Sequence, residues 1–318
     1  MEALTCKRLA HAMDYEDVHD EALLHPYAAA IPAALALAEA NGSGGKEFLT
    51  AVVLGSDLAC RLGLAVKDDL TTFGWYHPQV LSVFGATAAA GKILNLPEER
   101  LLDAFSFTLC QASVSAELAM NRTSVVRSMR DAFSAKAGVL SALLAREGLR
   151  GVSQPFEGKD GFFRLYAQGR YDPEVLLGGL GKVFESARVS YKAWPGCRGT
   201  HPYIDAMLAI AEEHDLKPED VIGIKAIVSS TNRMLCEPAE AKQRPATAIG
   251  AKFSIPFTVA TALRFRRVAL EHFEPDALAN EEVLAIARKV TYEVDPDIPK
   301  HQANTGTLEV ETVKGTFR

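Results

Sequence analysis

The stretch PYAAAIPAALALAEANG, residues 26–42, indicates the fold class of this chain. Pro26 suits a first helical position and Asn41-Gly42 is a stop signal, so the stretch predicts a helix over residues 26–40. Comparable segments, rich in Ala, Gly and Ser, predict helices over 45–63, 78–95, 97–118 and 128–147. Small side chains let helix backbones approach closely. The first half of the chain therefore predicts a compact bundle of mostly buried helices.

The pattern changes near residue 151. A short helix is predicted at 162–168, and residues 182–194 predict either a strand or an extended linker. Strands are predicted at 222–229, 290–294 and 307–313, alternating with helical patterns at 203–214, 256–266 and 280–289. This alternation predicts a smaller α/β domain. The fold class is thus mainly α, with a large all-helical domain over 1–185 and an α/β domain over 186–318.

Composition narrows the classes of function. The chain has 318 residues, 48% hydrophobic and 23% charged, as in a globular protein of about two domains. A net charge of −6 argues against nucleic acid as the main partner. No run of about 18 apolar residues is apparent, so neither a transmembrane helix nor a membrane partner is expected. The first residues are too charged for a secretory signal.

The sequence lacks the cysteine and glycine motifs that commonly bind cofactors. The five cysteines form no CxxC pair, which fits a reducing cytoplasm and offers no zinc or iron–sulfur ligand set. No GxxxxGK[ST] phosphate loop and no nucleophile elbow occur. We therefore expect no metal, no nucleotide cofactor and no acyl-enzyme, and a cytoplasmic location.

Two histidines share one sequence context. His25 and His77 each precede a proline that opens an Ala-rich helix. A helix N-terminus favours nearby anions and disfavours protonation of a neighbouring histidine. Two such ends facing one cavity would bind a carboxylate and supply two proton carriers. The alternative is that each histidine is only a helix-entry residue.

Acids and arginines add to this pattern. Asp14 and Asp17 precede His25 and could orient its ring, although Asp17 or Asp20 could instead only cap a helix. Arg127 and Arg130 lie three residues apart on one helical face. They could bind a substrate carboxylate through two parallel hydrogen bonds, or simply form a solvated charged face.

The segment KAWPGCRGTHP, residues 192–202, is the densest polar stretch. Lys192, Arg198 and His201 would together form an anion-binding cluster at the predicted domain junction, where small-molecule sites are favoured. His201 could instead be an ordinary helix-start residue.

An ordered set of motifs resembles a known family. The motifs are MDYEDVH at 13–19, HP at 25–26, GWYHP at 74–78, FSAKAGVL at 133–140, FEG at 156–158, KAWPGCRGTH at 192–201 and FSIPF at 253–257. Each motif alone is moderately specific, but their order over nearly the whole chain resembles the MmgE/PrpD family.

This resemblance implies a large helical domain with a smaller α/β lid, usually in a homodimer, and metal-independent proton chemistry on small di- or tricarboxylates. It implies catalytic roles for Asp14, His25, His77 and Lys192. A base for the carbon-bound proton and cations for the developing enediolate charge suit such chemistry. The expected activity is that of a hydro-lyase similar to 2-methylcitrate dehydratase. An isomerase or epimerase of a related dicarboxylate, or a non-catalytic homologue, are the alternatives.

Three positions depart from the family pattern. Arg127 stands where many relatives have lysine, Val18 where threonine is usual, and Phe257 where decarboxylase-like relatives place tyrosine. Arginine is a poor proton shuttle and phenylalanine donates no proton. These changes count against cis-aconitate decarboxylase activity in particular. The resemblance also implies that relatives extend beyond both ends of this chain, with further N-terminal helices and a C-terminal return to the helical domain.

Overall fold

The computed structural model describes residues 13–117, 126–299, 302 and 304–318. The described chain divides into two compact units. Glu16–Tyr191 belong to the first, called the helical unit here. Met13–Tyr15 and Lys192–Arg318 form the second, called the sheet unit. The fold is mainly α, with a small sheet in the C-terminal region.

The helical unit is built from long helices that carry Ala-rich faces. Asn41-Gly42 ends the first helix as predicted, because Gly42 adopts the left-handed conformation with φ of 64°. The α-helices of this unit whose bounds lie within the described residues are α1 (Tyr27–Asn41), α2 (Gly45–Ala65), α3 (His77–Ile93), α4 (Glu98–Leu109), α5 (Val126–Arg146), α6 (Phe162–Ala167) and α7 (Pro173–Leu177).

Helices α2 and α3 cross where both carry glycine. A Cβ placed on Gly55 would collide with the carbonyl oxygen of Gly85, and one placed on Gly85 would lie 2.5 Å from the carbonyl oxygen of Gly55. The buried alanines Ala59 and Ala89 flank this crossing. The small residues thus allow the close helix packing that the sequence predicts.

Helix α2 corrects the expectation that the chain has no apolar segment long enough to span a membrane. By length and composition, Gly45–Ala65 could cross a membrane, with 61% of its apolar window buried inside the protein. It nevertheless has features of a core helix, because the buried Asp57 and Arg61 pair at 2.7 Å. The Arg61 guanidinium also donates to the carbonyl oxygens of Leu176, Gly178 and Val183. Arg61 is thus paired and uses four of its five N–H groups in hydrogen bonds, as a cation buried in a protein core requires.

Two further predictions need correction. The helix predicted over 97–118 ends at Leu109, because the Tyr76 N–H donates to the carbonyl of Val114 and Trp75 bridges Ser115. That backbone pairing replaces the helical hydrogen bonds of this segment. The strand-or-linker segment 182–194 is irregular: it contains a short 3-10 turn at Glu185–Arg188 and one antiparallel bridge between Ser190 and Val18.

In the described part of the sheet unit, four strands form a sheet in the order β2-β1-β3-β4. Strands β1 and β2 are parallel, whereas β3 is antiparallel to both β1 and β4. The strands are β1 (Val221–Val228), β2 (Val290–Val294), β3 (Thr307–Thr312) and β4 (Gly315–Phe317). The sequence did not predict β4, a three-residue edge strand too short to show alternation.

Helices cover the buried face of the sheet. Tyr203, Ile204 and Met207 pack in one core cluster with Ile224 and Val310 of the sheet. The helices of this unit are α8 (His201–Glu213), α9 (Ala239–Gln243), α10 (Ala248–Lys252), α11 (Ile255–Phe265), α12 (Pro275–Leu278) and α13 (Glu281–Ala287).

Candidate functional site

His25 has the geometry of a proton-transfer group within the helical unit. Its Nδ1 lies 2.6 Å from the backbone oxygen of Asp17. Since a carbonyl only accepts, Nδ1 carries a hydrogen and Nε2 is the atom that gains or loses the titrating proton. Nε2 lies 3.8 Å from Oε1 of the buried Glu16, which would stabilise an imidazolium. Sequence reasoning did not identify Glu16 as a partner of His25.

Asp17 holds this segment against helix α1. Its Oδ2 accepts the N–H of Tyr27 at 2.9 Å, and the Tyr27 hydroxyl donates to the carbonyl of Ser186 at 3.1 Å. Burial, with smaller contributions from Tyr191 and Asp17, raises the pKa of Tyr27 to about 12, so this hydroxyl keeps its proton. The side chain of Asp17 thus caps a helix, as one of the two sequence alternatives held, and its backbone carbonyl contacts the ring of His25.

His77 occupies a different environment from His25. Its Nδ1 accepts the N–H of Leu70 at 3.3 Å, and its Nε2 donates to the carbonyl of Ala22 at 3.0 Å. Burial lowers the pKa of His77, although Asp69 at 3.8 Å acts in the opposite direction. Both ring nitrogens therefore bind backbone groups. This arrangement favours the helix-entry alternative for His77 over a proton carrier.

A second histidine holds the same loop residue. Nδ1 of the buried His19 accepts the N–H of Ala22 at 3.1 Å, so His19 and His77 bind the two polar backbone groups of Ala22. Burial is the main cause that lowers the pKa of His19, followed by Arg188. Its Nε2 lies 3.7 Å from Glu185. The two histidines thus fix the loop that leads into His25.

Arg130 is buried rather than part of a solvated face. Its guanidinium lies 4.1 Å from the centre of the Tyr76 ring, and its Nε is 3.7 Å from Oδ2 of Asp131. Gln79 donates to the same Asp131 carboxylate. Arg127 lies in the first turn of α5, and its side chain falls outside the described residues. The predicted arginine pair therefore stays a prediction.

Asp14 belongs to the sheet unit, where it meets a lysine that sequence reasoning missed. Oδ2 of the buried Asp14 lies 3.6 Å from Nζ of Lys252. The same ammonium group donates to the carbonyl of Met13 at 3.0 Å. Asp14 has a φ of 58°, in the left-handed region that Asp tolerates better than most residues. The sequence did contain an indication of Lys252 as a candidate site residue, because Lys252 directly precedes the FSIPF motif at 253–257.

The segment that carries Lys192, Arg198 and His201 lies in the sheet unit as well. Lys192 and His201 are buried, and the His201 ring packs edge-on to Trp194 with centroids 5.2 Å apart. His201 is also the first residue of α8, as the alternative interpretation held. The N–H of Cys197 donates to the carbonyl of Lys252 at 2.9 Å, which joins this segment to the residue that contacts Asp14.

Phe257 lies in the core of the same unit. It is almost fully buried, and its ring lies 6.2 Å from the ring of Phe273. Over the described residues, no group of three or more His, Cys, Asp or Glu side chains is placed to hold a metal ion.

Comparison with known proteins gives two family matches and several relatives. The MmgE/PrpD N-terminal domain matches residues 3–174, and the MmgE/PrpD C-terminal domain matches residues 194–317. A cis-aconitate decarboxylase-like protein of Aspergillus oryzae is 29% identical over 302 residues, which cover 88% of this chain and 61% of that protein.

Two other relatives are cis-aconitate decarboxylases. The Aspergillus terreus protein is 26% identical over 312 residues, covering 91% of this chain and 62% of that protein. The Homo sapiens protein is 26% identical over 298 residues, covering 90% of this chain and 60% of that protein. The chain thus spans about three fifths of the length of the curated relatives it matches. With matches to both domains along most of its length, this chain belongs to the MmgE/PrpD family.

Proposed function

We propose that this chain acts as a lyase on a small di- or tricarboxylic acid, with His25 as the proton-transfer group. The observation that best supports this proposal is the geometry of His25. Its Nδ1 is committed to the Asp17 carbonyl, and its Nε2 faces Glu16. Membership of a family whose curated relatives include cis-aconitate decarboxylases supports a lyase reaction on a carboxylic acid.

The proposed reaction is the loss of water from a hydroxy acid. Nε2 of His25 removes a proton from the carbon beside a substrate carboxylate, and hydroxide leaves from the neighbouring carbon with a proton from an acidic group. The negative charge that develops on the carboxylate needs cations. We assign that role to Lys192 and Arg198, and we retain Asp14 as a candidate catalytic residue. Arg127, Arg130 and His201 remain candidates for substrate binding.

Decarboxylation is the second candidate, favoured by the names of the relatives. That reaction releases carbon dioxide from an unsaturated tricarboxylate and adds a proton to the carbon chain. Phe257 argues against it, because a buried phenyl ring has no proton to donate at the position where the family resemblance places a tyrosine.

The test is incubation of the full chain with a panel of hydroxy and unsaturated di- and tricarboxylates in heavy water. Absorbance reports formation of an unsaturated acid, headspace analysis reports carbon dioxide, and mass spectrometry reports deuterium uptake. Formation of an unsaturated acid without carbon dioxide is expected. Carbon dioxide release would select the second candidate, and deuterium uptake without net conversion would select an isomerase or epimerase. No reaction with any acid would refute a catalytic function.

His25→Gln tests the role of the imidazole. We expect turnover to fall roughly 100- to 10,000-fold, since glutamine cannot carry the proton. His214→Gln is the control, because His214 stacks on Phe317 in the sheet unit and has no assigned role in the reaction. Full turnover in His25→Gln would remove His25 from the mechanism.

A further inference from the structure

Lys252 is a buried cation whose position in the fold needs an explanation. It is the last residue of helix α10, and only 6% of it is exposed. Lysine is almost never buried to this extent unless it is paired, because desolvation of an ammonium group is costly. The contacts of Lys252 therefore indicate which interactions compensate for its burial.

The side chain of Lys252 contacts two consecutive residues of the first motif. Nζ donates to the Met13 carbonyl at 3.0 Å and lies 3.6 Å from Oδ2 of Asp14. It also faces the ring of Phe273, 5.8 Å from its centroid. The hydrogen bond fixes the backbone immediately before Asp14, and the ion pair acts on its carboxylate. Asp14 is therefore restrained at both its main chain and its side chain.

The main chain of Lys252 contacts the segment that carries Lys192, Arg198 and His201. Its carbonyl accepts the N–H of Cys197 at 2.9 Å. Gly196 allows this approach, since a Cβ at that position would lie 3.0 Å from the same carbonyl oxygen. One residue thus contacts two predicted site segments with two different groups.

We propose that Lys252 is a positioning residue that holds Asp14 in register with the Lys192–His201 segment. The proposal rests on the proposed function for the roles of those residues. Lys252 acts through Asp14 and the Cys197 backbone rather than on the substrate. Catalytic and binding side chains that are held in place by neighbouring residues keep the geometry that the reaction needs.

Pairing is tested first, without any activity measurement. The unfolding midpoints in urea are compared for wild type, Lys252→Met, Asp14→Asn and the double variant. A single substitution removes the Asp14–Lys252 ion pair and leaves the other charge buried, whereas the double variant removes both charges. We expect the double variant to lose less stability than the sum of the single variants. Additive losses would overturn the pairing.

Positioning is tested by kinetics with an acid that wild type converts. Lys252→Met is expected to lower kcat/KM on the order of 100-fold, mainly through kcat. Lys252→Arg retains the cation and is expected to restore most of this loss. Lys289→Met is the control, because Lys289 also donates to a backbone carbonyl of this unit, that of Val221. A Lys252→Met variant with wild-type kcat would overturn positioning.

The two proposals fail in distinguishable ways. If the stability losses of the variants in urea are non-additive, the Asp14–Lys252 pair is confirmed. If the same protein converts no acid, the proposed function is refuted. Turnover that depends on His25 but not on Lys252 supports the proposed function and refutes the positioning role.

Discussion

At the residue scale, two histidines that share one sequence context, His25 and His77, have different environments. Nδ1 of His25 binds the Asp17 carbonyl and its Nε2 lies 3.8 Å from Oε1 of Glu16, whereas both nitrogens of His77 bind the backbone of Leu70 and Ala22. The N–H of the same Ala22 donates to Nδ1 of His19, which does not precede a proline. The difference follows from burial and hydrogen-bond partners, which adjacency to a proline does not encode. A histidine before a helix is therefore a candidate whose role its contacts decide.

The buried histidines predict a pH dependence of stability. Burial lowers the pKa of His77 and His19 below the ordinary value of about 6.5, so the unfolded chain binds protons before the folded chain does. Their contribution to stability is therefore present above pH of about 6.5 and is lost as the pH falls from there through the lowered pKa. The free energy of unfolding should decrease accordingly in urea titrations at a series of pH values.

His77→Gln tests the assignment of that decrease. The variant should lose stability less steeply below pH of about 6.5, because one of the groups that protonate on unfolding is gone. Its stability difference from wild type above pH of about 7.5 serves as the baseline, where His77 is neutral in both states. An unchanged slope in the acid range would show that His77 is not responsible.

At the element scale, helix contacts depend on small residues at particular positions. The crossing of α2 and α3 has no room for side chains at Gly55 and Gly85. The same helix α2 carries Asp57 and Arg61, which pair with each other, and Arg61 also binds the carbonyls of Leu176, Gly178 and Val183. An apolar helix long enough to span a membrane thus serves as a helix of the protein core.

Gly55→Ala tests the packing of these two helices. The added methyl group meets the backbone of Gly85 and the side chain of Ala89, so the helices must separate. Overpacking of this kind costs about 1–3 kcal/mol. Gly45→Ala is the matched control, since its added methyl group meets nothing within 4 Å. Equal unfolding free energies of the two variants would contradict the close crossing.

At the scale of the whole molecule, the two units carry different groups of candidate residues. The helical unit holds His25, Glu16 and Arg130, and the sheet unit holds Asp14 and the Lys192–His201 segment. Tyr15 and Glu16 are covalent neighbours assigned to different units. The function that we propose requires that the full chain binds carboxylates.

Ligand binding to the folded chain should raise its stability by mass action. A carboxylate at 100 times its dissociation constant adds about 2.7 kcal/mol to the free energy of unfolding. A thermal-unfolding screen with small di- and tricarboxylates is expected to find a specific, concentration-dependent rise in Tm. Lys192→Ala should abolish the rise, and a monocarboxylate of equal ionic strength is the control. No rise with any polycarboxylate would count against a site for this substrate class.

The sequence by itself determined the mainly α fold class, most helices, three of the strands and the motifs that indicate the family. Those features depend on residues close together in the chain: a proline that starts a helix, the Asn41-Gly42 stop, and the alternation within a strand. The tertiary structure alone decided that α4 ends at Leu109 and that Lys252 pairs with Asp14. It also decided that both nitrogens of His77 bind the backbone. These outcomes join groups distant in sequence, so they depend on which buried polar atoms the packed chain brings within hydrogen-bonding distance.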